Sequence, residues 1–360
     1  MDGLFEYCLR NLRRLASKAR FCALIGVFGI ISVVQSQADT SLRVAFYHTE
    51  LSRKGPGLLL RDIQRGEDPQ IIAILDVISK VAPDIVVLAS FDWDEYNAAL
   101  TAFSQALETA GHAMPHVFAA QPNRGRPTGL DLNGNGRFHE AEDAQGFARF
   151  TGADGLAILS RWPIVVPEII NASAMLWADL PDALLPYPDS PKGLELIKTL
   201  STTAHWLIPV ETPSQGRAWI GTYFATAPVF DGPEDRNGRR SHDETAFWTK
   251  LLDKTLPFMP PDHLIIAGHA NLDPKRGEGR CCAIRDLLNN PKTQDPLGDQ
   301  ITVDWRRDDL ENMRVSYMLP DKTWLVRDAG IYWPDPGTAH GDQAATASRH
   351  RLIWVDVAKP

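Results

Sequence analysis

Leu264-Ile265-Ile266-Ala267-Gly268-His269-Ala270-Asn271-Leu272-Asp273-Pro274 is the stretch whose reading decides the fold. An apolar run of strand composition stops at Gly268, and polar residues follow before a proline and a glycine-rich turn. In open α/β sheets the carboxyl end of such a strand is where ligands and catalytic groups gather. His269 and Asn271 stand two residues apart, so an extended backbone turns both toward the same side of that edge.

The rest of the chain repeats the pattern. Ser41 to His48 reads as a strand with a polar end, and Pro69 to Val81 places apolar residues at helical spacing. Ile85 to Leu88 is a second buried strand running into Ser90-Phe91-Asp92-Trp93-Asp94, with a helix over about 95–110. Further strands are expected at Gly155–Arg161, Ala204–Val210, Ala218–Phe224, Met313–Leu319, Trp324–Ile331 and Arg351–Val357. Helices are expected at Arg239–Leu256 and Cys281–Leu288. Residues 177–193, rich in proline, read as surface loop. Strands alternating with helices, in two halves of similar element order, predict one α/β domain over 39–360. The expected architecture is a two-sheet α/β sandwich: a β-sandwich core with helices outside, making four layers.

Residues 1–38 read as a signal peptide. Arg10, Arg13, Arg14, Lys18 and Arg20 precede an almost unbroken apolar run, Phe21 to Val34, and Ser36-Gln37-Ala38 offers small residues for cleavage. Fourteen residues are short for a bilayer of about 30 Å, and an uncleaved anchor is the alternative. The expectation is a periplasmic or secreted protein with no membrane contact after cleavage. Removing that segment, with its five basic and two acidic residues, takes the net charge from −8 to −11. Such acidity speaks against a long nucleic-acid partner, although a local basic patch survives an acidic total. Cys281 and Cys282 are the only cysteines left, and adjacent cysteines make a poor disulfide, so the core alone must hold the fold.

Within the aperiodic, glycine-rich segment 121–150, Asp131-Leu132-Asn133-Gly134-Asn135-Gly136 followed by Glu142 matches the spacing of a twelve-residue calcium loop. Asp131, Asn133 and Asn135 supply side-chain oxygens, Arg137 a carbonyl and Glu142 a bidentate carboxylate. Pro122, Gly125, Pro127 and Gly129 leave no room for a preceding helix, so an isolated structural calcium site is expected rather than a paired sensor. A turn that binds nothing is the alternative.

The strand ends then form a set: His48, Ser90 with Asp92, Phe224, His269 with Asn271, Ser316, and Arg349 with His350. Their flanks are Pro83-Asp84-Ile85-Val86-Val87-Leu88, Gly155-Leu156-Ala157-Ile158-Leu159-Ser160-Arg161, Gly268-x-Ala270-Asn271-x-Asp273-Pro274, Arg314-Val315-x-Tyr317-x-Leu319-Pro320 and Ser348-x-His350. In order and flanks the set resembles the endonuclease/exonuclease/phosphatase superfamily, from Leu42 to Asp356. The segment from Phe230 to Gly238 is similar to an exported bacterial branch.

The resemblance implies metal-dependent phosphodiesterase or phosphatase chemistry with magnesium. It implies an Asp that activates water, an Asp-paired His that stabilises the phosphate, and a Glu that holds the metal. This chain departs at most of those places. His48 stands for the first-strand Asn, Ser90 for the metal-binding Glu, and Phe224 for the middle-strand His. His269 stands for the water-activating Asp, Ser316 for the orienting Asp, and Arg349 for the last acid. Asn271 and His350 remain. Magnesium needs oxygen ligands, so its binding is in doubt unless Asp92 or Asp94 substitutes. Two expectations follow. One is a pseudoenzyme of the lineage that binds a phosphorylated small molecule or a protein partner. The other is an active phosphoesterase whose metal is zinc or a similar ion, held by His48, His269 and His350 with Asp92 as fourth ligand. A protein that keeps only the calcium loop, as a structural module, is a third.

Overall fold

The computed structural model describes residues 41–186, 193–305 and 310–360. The expected signal peptide lies outside them, as do residues 187–192 of the proline-rich loop. Among the described residues no helix is long and apolar enough to cross a membrane.

Among the described residues, eleven strands form two sheets. The first has the order β10-β11-β1-β2-β4-β3 and the second β5-β6-β7-β8-β9. The strands are β1 Leu42–His48, β2 Ile85–Phe91, β3 His116–Phe118, β4 Gly155–Ser160, β5 Ile170–Asn171, β6 His205–Thr212, β7 Gly216–Phe224, β8 Leu264–His269, β9 Ser316–Pro320, β10 Leu325–Ile331 and β11 Ile353–Ala358. The α-helices are α1 Leu58–Arg65, α2 Pro69–Val81, α3 Ala98–Thr109, α4 Arg236–Leu252, α5 Cys282–Leu288 and α6 Ala339–Ala347. Both sheets are mixed: β1 runs parallel to β2 and antiparallel to β11, while β7 runs parallel to β8 and antiparallel to β6. The expected two-sheet sandwich is what the chain forms.

Three apolar clusters account for four layers. Leu42, Val44 and Phe46 of β1, with Ile85 and Val87 of β2, meet Trp206, Ile208, Ile220, Ile265 and Met318 of the second sheet. The other face of the first sheet takes Ile74 and Val77 of α2 and Phe103 of α3. The outer face of the second sheet takes Phe247, Trp248 and Leu251 of α4 and Ile284 of α5. These strands read as continuous apolar runs because each sheet is buried on both faces.

Period two then fixes the end of each strand. Val44 and Phe46 face the inter-sheet core, so His48 does; Ile265 and Ala267 face it, so His269 does; Ile220 faces it, so Phe224 does. Three strands therefore deliver their last side chains to one rim of the sandwich. Gly268 is required beside this rim, since a Cβ there would stand 2.3 Å from the ring of Tyr223.

The start of the segment 177–193 is not surface loop: Leu180 is buried, and so is Trp177, a core position as expected for that tryptophan, whose indole donates to Asp243 at 2.6 Å. Arg240 of α4 is buried, and donates to the carbonyls of Gln145, Thr199, Leu200 and Ser201. The segment 121–150 is ordered by Asn123, whose amide nitrogen donates to the carbonyls of Ser173 and Ser201 and to the Thr199 hydroxyl. Cys281 and Cys282 are free thiols.

Candidate functional site

The rim carries three buried imidazoles, His48 (8% exposed), His269 (1%) and His350 (5%). One ring nitrogen of each lies within 4.8 Å of the other two. Among the described residues this is the one group of three or more His, Cys, Asp or Glu side chains placed to share an ion. His48 stacks on His350, with ring centres 4.0 Å apart and planes inclined by 27°. His269 approaches His48 at 4.6 Å and His350 at 4.9 Å. Phe224 closes one side, edge-on to His48 at 5.0 Å and to His269 at 5.3 Å, and Trp305 stands 6.0 Å from His350.

The hydrogen bonds of these rings differ. On His269, Nδ1 meets the Ser316 hydroxyl at 2.9 Å and Nε2 meets the Asn271 Oδ1 at 2.8 Å. The Asn271 Nδ2 donates to the Ala225 carbonyl, so its Oδ1 must accept, and Nε2 of His269 carries the proton. Nδ1 of His269 is then the nitrogen with a lone pair. On His48 and His350, Nδ1 is buried with no partner. Burial pushes all three imidazoles below the usual histidine range; a charge on His48 further opposes protonation of His269, and charges on His48 and His269 oppose that of His350. The rim therefore presents neutral nitrogen donors at neutral pH.

The backbone at this edge is unusual in two places. Ser90 sits at a register shift between β2 and β4 with φ 58°, and Asn271 has φ 54°. Left-handed backbone at a bulge re-aims side chains, and such features collect next to sites. Asp273 explains its place in the motif by structure alone. Its carboxylate accepts the backbone N–H groups of Arg314, Lys275 and Arg276, which locks the turn after β8.

Asp92 is not in the imidazole cluster. Its carboxylate accepts from the Ser52 hydroxyl and from the backbone N–H groups of Arg53 and Asp154, so it ties three segments together instead of closing a metal shell. Burial pushes its carboxyl up against those three bonds. Asp94 is also committed, accepting from the N–H groups of Ala98 and Ala99 at the start of α3. Neither stands in for a glutamate at Ser90.

Two acids that sequence reasoning passed over, Glu50 and Asp154, act on the charge of His48. Each is held by an arginine. Glu50 accepts from the Arg349 side chain at 2.6 and 2.8 Å and from its backbone N–H at 2.8 Å. Burial raises the Glu50 carboxyl, but these bonds and the Arg349 charge outweigh it and hold the group below its usual range. Asp154 pairs with Arg124 at 3.2 Å, and the Arg124 guanidinium lies 4.7 Å over the Phe224 ring. The available signal for Arg124 was its place in the long segment 121–150, which is where function concentrates when a loop is long.

The calcium-type loop has no helix on either side, as expected. Asp131 accepts the N–H groups of Gly134, Asn135 and Gly136. Asn133 accepts from the Asn135 N–H, Asn135 from the Arg137 N–H, and Glu142 lies exposed on a short 3-10 turn at Ala141–Asp143.

With this geometry in place, comparison with known proteins is decisive on lineage. The model of the endonuclease/exonuclease/phosphatase family matches residues 62–350. The chain belongs to that family. No curated protein matches it significantly. Among solved structures it is similar to an endonuclease/exonuclease/phosphatase from Beutenbergia cavernae, with a TM-score of 0.54 and 16% identity over 89% of this chain and 72% of that one. It is also similar to the human Nocturnin catalytic domain with bound sulfate, with a TM-score of 0.50 and 15% identity over 89% and 94% of the chains. A Bacteroides vulgatus family structure gives a TM-score of 0.50 at 9% identity over 89% and 99%. At such identities the likeness is one of fold.

The family's magnesium does not fit the donors present here. A small hard cation takes carboxylate, carbonyl and water oxygens in near-octahedral order. Around the convergence point, the described residues offer three imidazoles, the Ser316 hydroxyl, a phenyl face and an Asn271 amide already bonded at both ends. The two acids that act on His48, Glu50 and Asp154, are each paired with an arginine.

Proposed function

We propose that this protein is an exported pseudoenzyme of the endonuclease/exonuclease/phosphatase family, whose magnesium-dependent hydrolysis is lost or strongly reduced. Its retained task is to bind a phosphorylated small molecule or a protein partner. The observation that supports this reading is the donor set at the rim: His269, Ser90 and Ser316 stand where the family pattern calls for carboxylates, and Glu50 and Asp154 are clamped by Arg349 and Arg124. Removing a single group of this kind commonly lowers a rate by about 10² to 10³, and several have been replaced together. In the same reading residues 1–38 direct export to the periplasm or outside, and Asp131, Asn133, Asn135, Arg137 and Glu142 hold a structural calcium.

The test is hydrolysis of a generic phosphodiester and a generic phosphomonoester by the purified chain in magnesium. The expected rate equals that of a His350→Ala variant. Magnesium-dependent turnover that vanishes in that variant would sink the proposal.

A further inference from the structure

Resting on the loss of the magnesium centre proposed above, we infer that His48, His269 and His350 form a binding site for zinc or another late first-row divalent cation. Two independent observations point there. The first is convergence: three imidazoles from three separate segments bring one nitrogen each within 4.8 Å of the others. The second is that Nδ1 of His48 and Nδ1 of His350 are buried without a partner, although buried polar atoms in folded proteins are nearly always satisfied. A cation drawn between them would satisfy both.

His269 is prepared for the same role. Asn271 Oδ1 accepts a hydrogen bond from its Nε2–H, which fixes the tautomer and leaves Nδ1 as the metal-donor atom, and the Ser316 hydroxyl now bonded there releases it by rotating. A carbonyl oxygen accepting the far N–H of a ligand histidine is the usual means of orienting such a ring. The donor type selects the ion: imidazole suits zinc, copper, nickel and cobalt, whereas magnesium and calcium prefer oxygen. Three nitrogens and one remaining position for water or a ligand oxygen match the ligand count of an open zinc centre.

Binding requires a small rearrangement. Zinc–nitrogen bonds of about 2.1 Å in tetrahedral order put ligand nitrogens roughly 3.4 Å apart. The stacked rings of His48 and His350 must therefore turn out of their present 27° inclination.

The experiment is a titration of the chelator-stripped chain with zinc by calorimetry, and with cobalt by visible absorption, which reports tetrahedral nitrogen ligation. One ion per chain is expected to bind at micromolar concentration or tighter. His269→Ala weakens binding by at least about 100-fold and Asn271→Ala by roughly 10-fold. His340→Ala, at an exposed position on α6, leaves it unchanged. His48→Asn and His350→Asn keep a polar side chain, so a folded protein that no longer binds can be prepared and checked by circular dichroism. Absence of zinc binding, or equal affinity in the folded asparagine variants, would overturn the inference. Magnesium-dependent hydrolysis measured on the same stripped sample separates the two readings. Turnover there contradicts the pseudoenzyme, whereas inactivity without zinc binding contradicts this site alone.

Discussion

Buried histidine occurs in two settings, His205 inside the second sheet and the three imidazoles at the rim of the sandwich, and they are built on opposite terms. His205, on β6, sits among Tyr223, Phe247 and Trp248, and both ring nitrogens are used: Nδ1 with the Ser201 hydroxyl at 2.6 Å, Nε2 with the Glu244 carbonyl at 2.8 Å. It is a core residue with a polar tip that the surrounding chain satisfies. His48 and His350 are also buried, yet each keeps an unpartnered Nδ1 and has the other rim imidazoles as ring neighbours. A buried donor or acceptor left alone costs about 1–3 kcal/mol, so the rim carries an expense that the His205 centre does not. The difference separates a histidine that serves packing from histidines held ready for something else.

The sharpest way to break the comparison is at His205. His205→Ala opens a cavity and strands the Ser201 hydroxyl and the Glu244 carbonyl, with an expected loss of roughly 3–5 kcal/mol in urea unfolding. A loss below about 1 kcal/mol would place His205 with the rim residues.

The next effect is one of pH. Burial lowers the His205 pKa from 6.5 to about 4. The unfolded chain takes up its proton first, so the stability from this residue is complete above pH 6.5 and is lost as pH falls from there to about 4. At about 1.4 kcal/mol per unit the loss is about 3 kcal/mol. Unfolding free energies across that window should fall less steeply in His205→Asn than in the wild type. Equal slopes would remove His205 as the cause.

At the rim the expected sign is different. His48→Leu and His350→Leu each delete an unsatisfied nitrogen while keeping apolar bulk. In metal-free protein they should cost less than about 1 kcal/mol, or stabilise. A loss comparable with that of His205→Ala would mean that the rim rings are satisfied core residues.

The proposed calcium site gives the smallest effect. Millimolar calcium should slow proteolysis within 131–142 and raise stability by about 1 kcal/mol or less, and Asp131→Ala should abolish both changes. Protection that survives Asp131→Ala would refute the loop site.

Much of this was legible in the sequence for a plain reason. Strands buried on both faces announce themselves as unbroken apolar runs, and period two carries that reading through to His48, Phe224 and His269. Helix α2 was readable to its ends because Asp68 caps it and Pro69 opens it. The short α1 and α6 were not anticipated, since α1 is only eight residues long and α6 is built largely of alanine with little apolar pattern. The convergence of the three histidines was expected from the family resemblance, since these strand ends stand at positions that line the family's pocket. The fate of the carboxylates did not, because Asp92, Asp94, Glu50 and Asp154 are spent on backbone groups and arginines that only the tertiary structure brings near them. Likewise, nothing local marks Ser201 and Glu244 as the partners of His205.

The central claim is that this rim has exchanged a hard-cation site for neutral nitrogen donors. Its most direct test is phosphodiester hydrolysis by the stripped chain resupplied with magnesium alone. The expected result is no turnover above that of His350→Ala. Magnesium-dependent turnover that His350→Ala abolishes would contradict it.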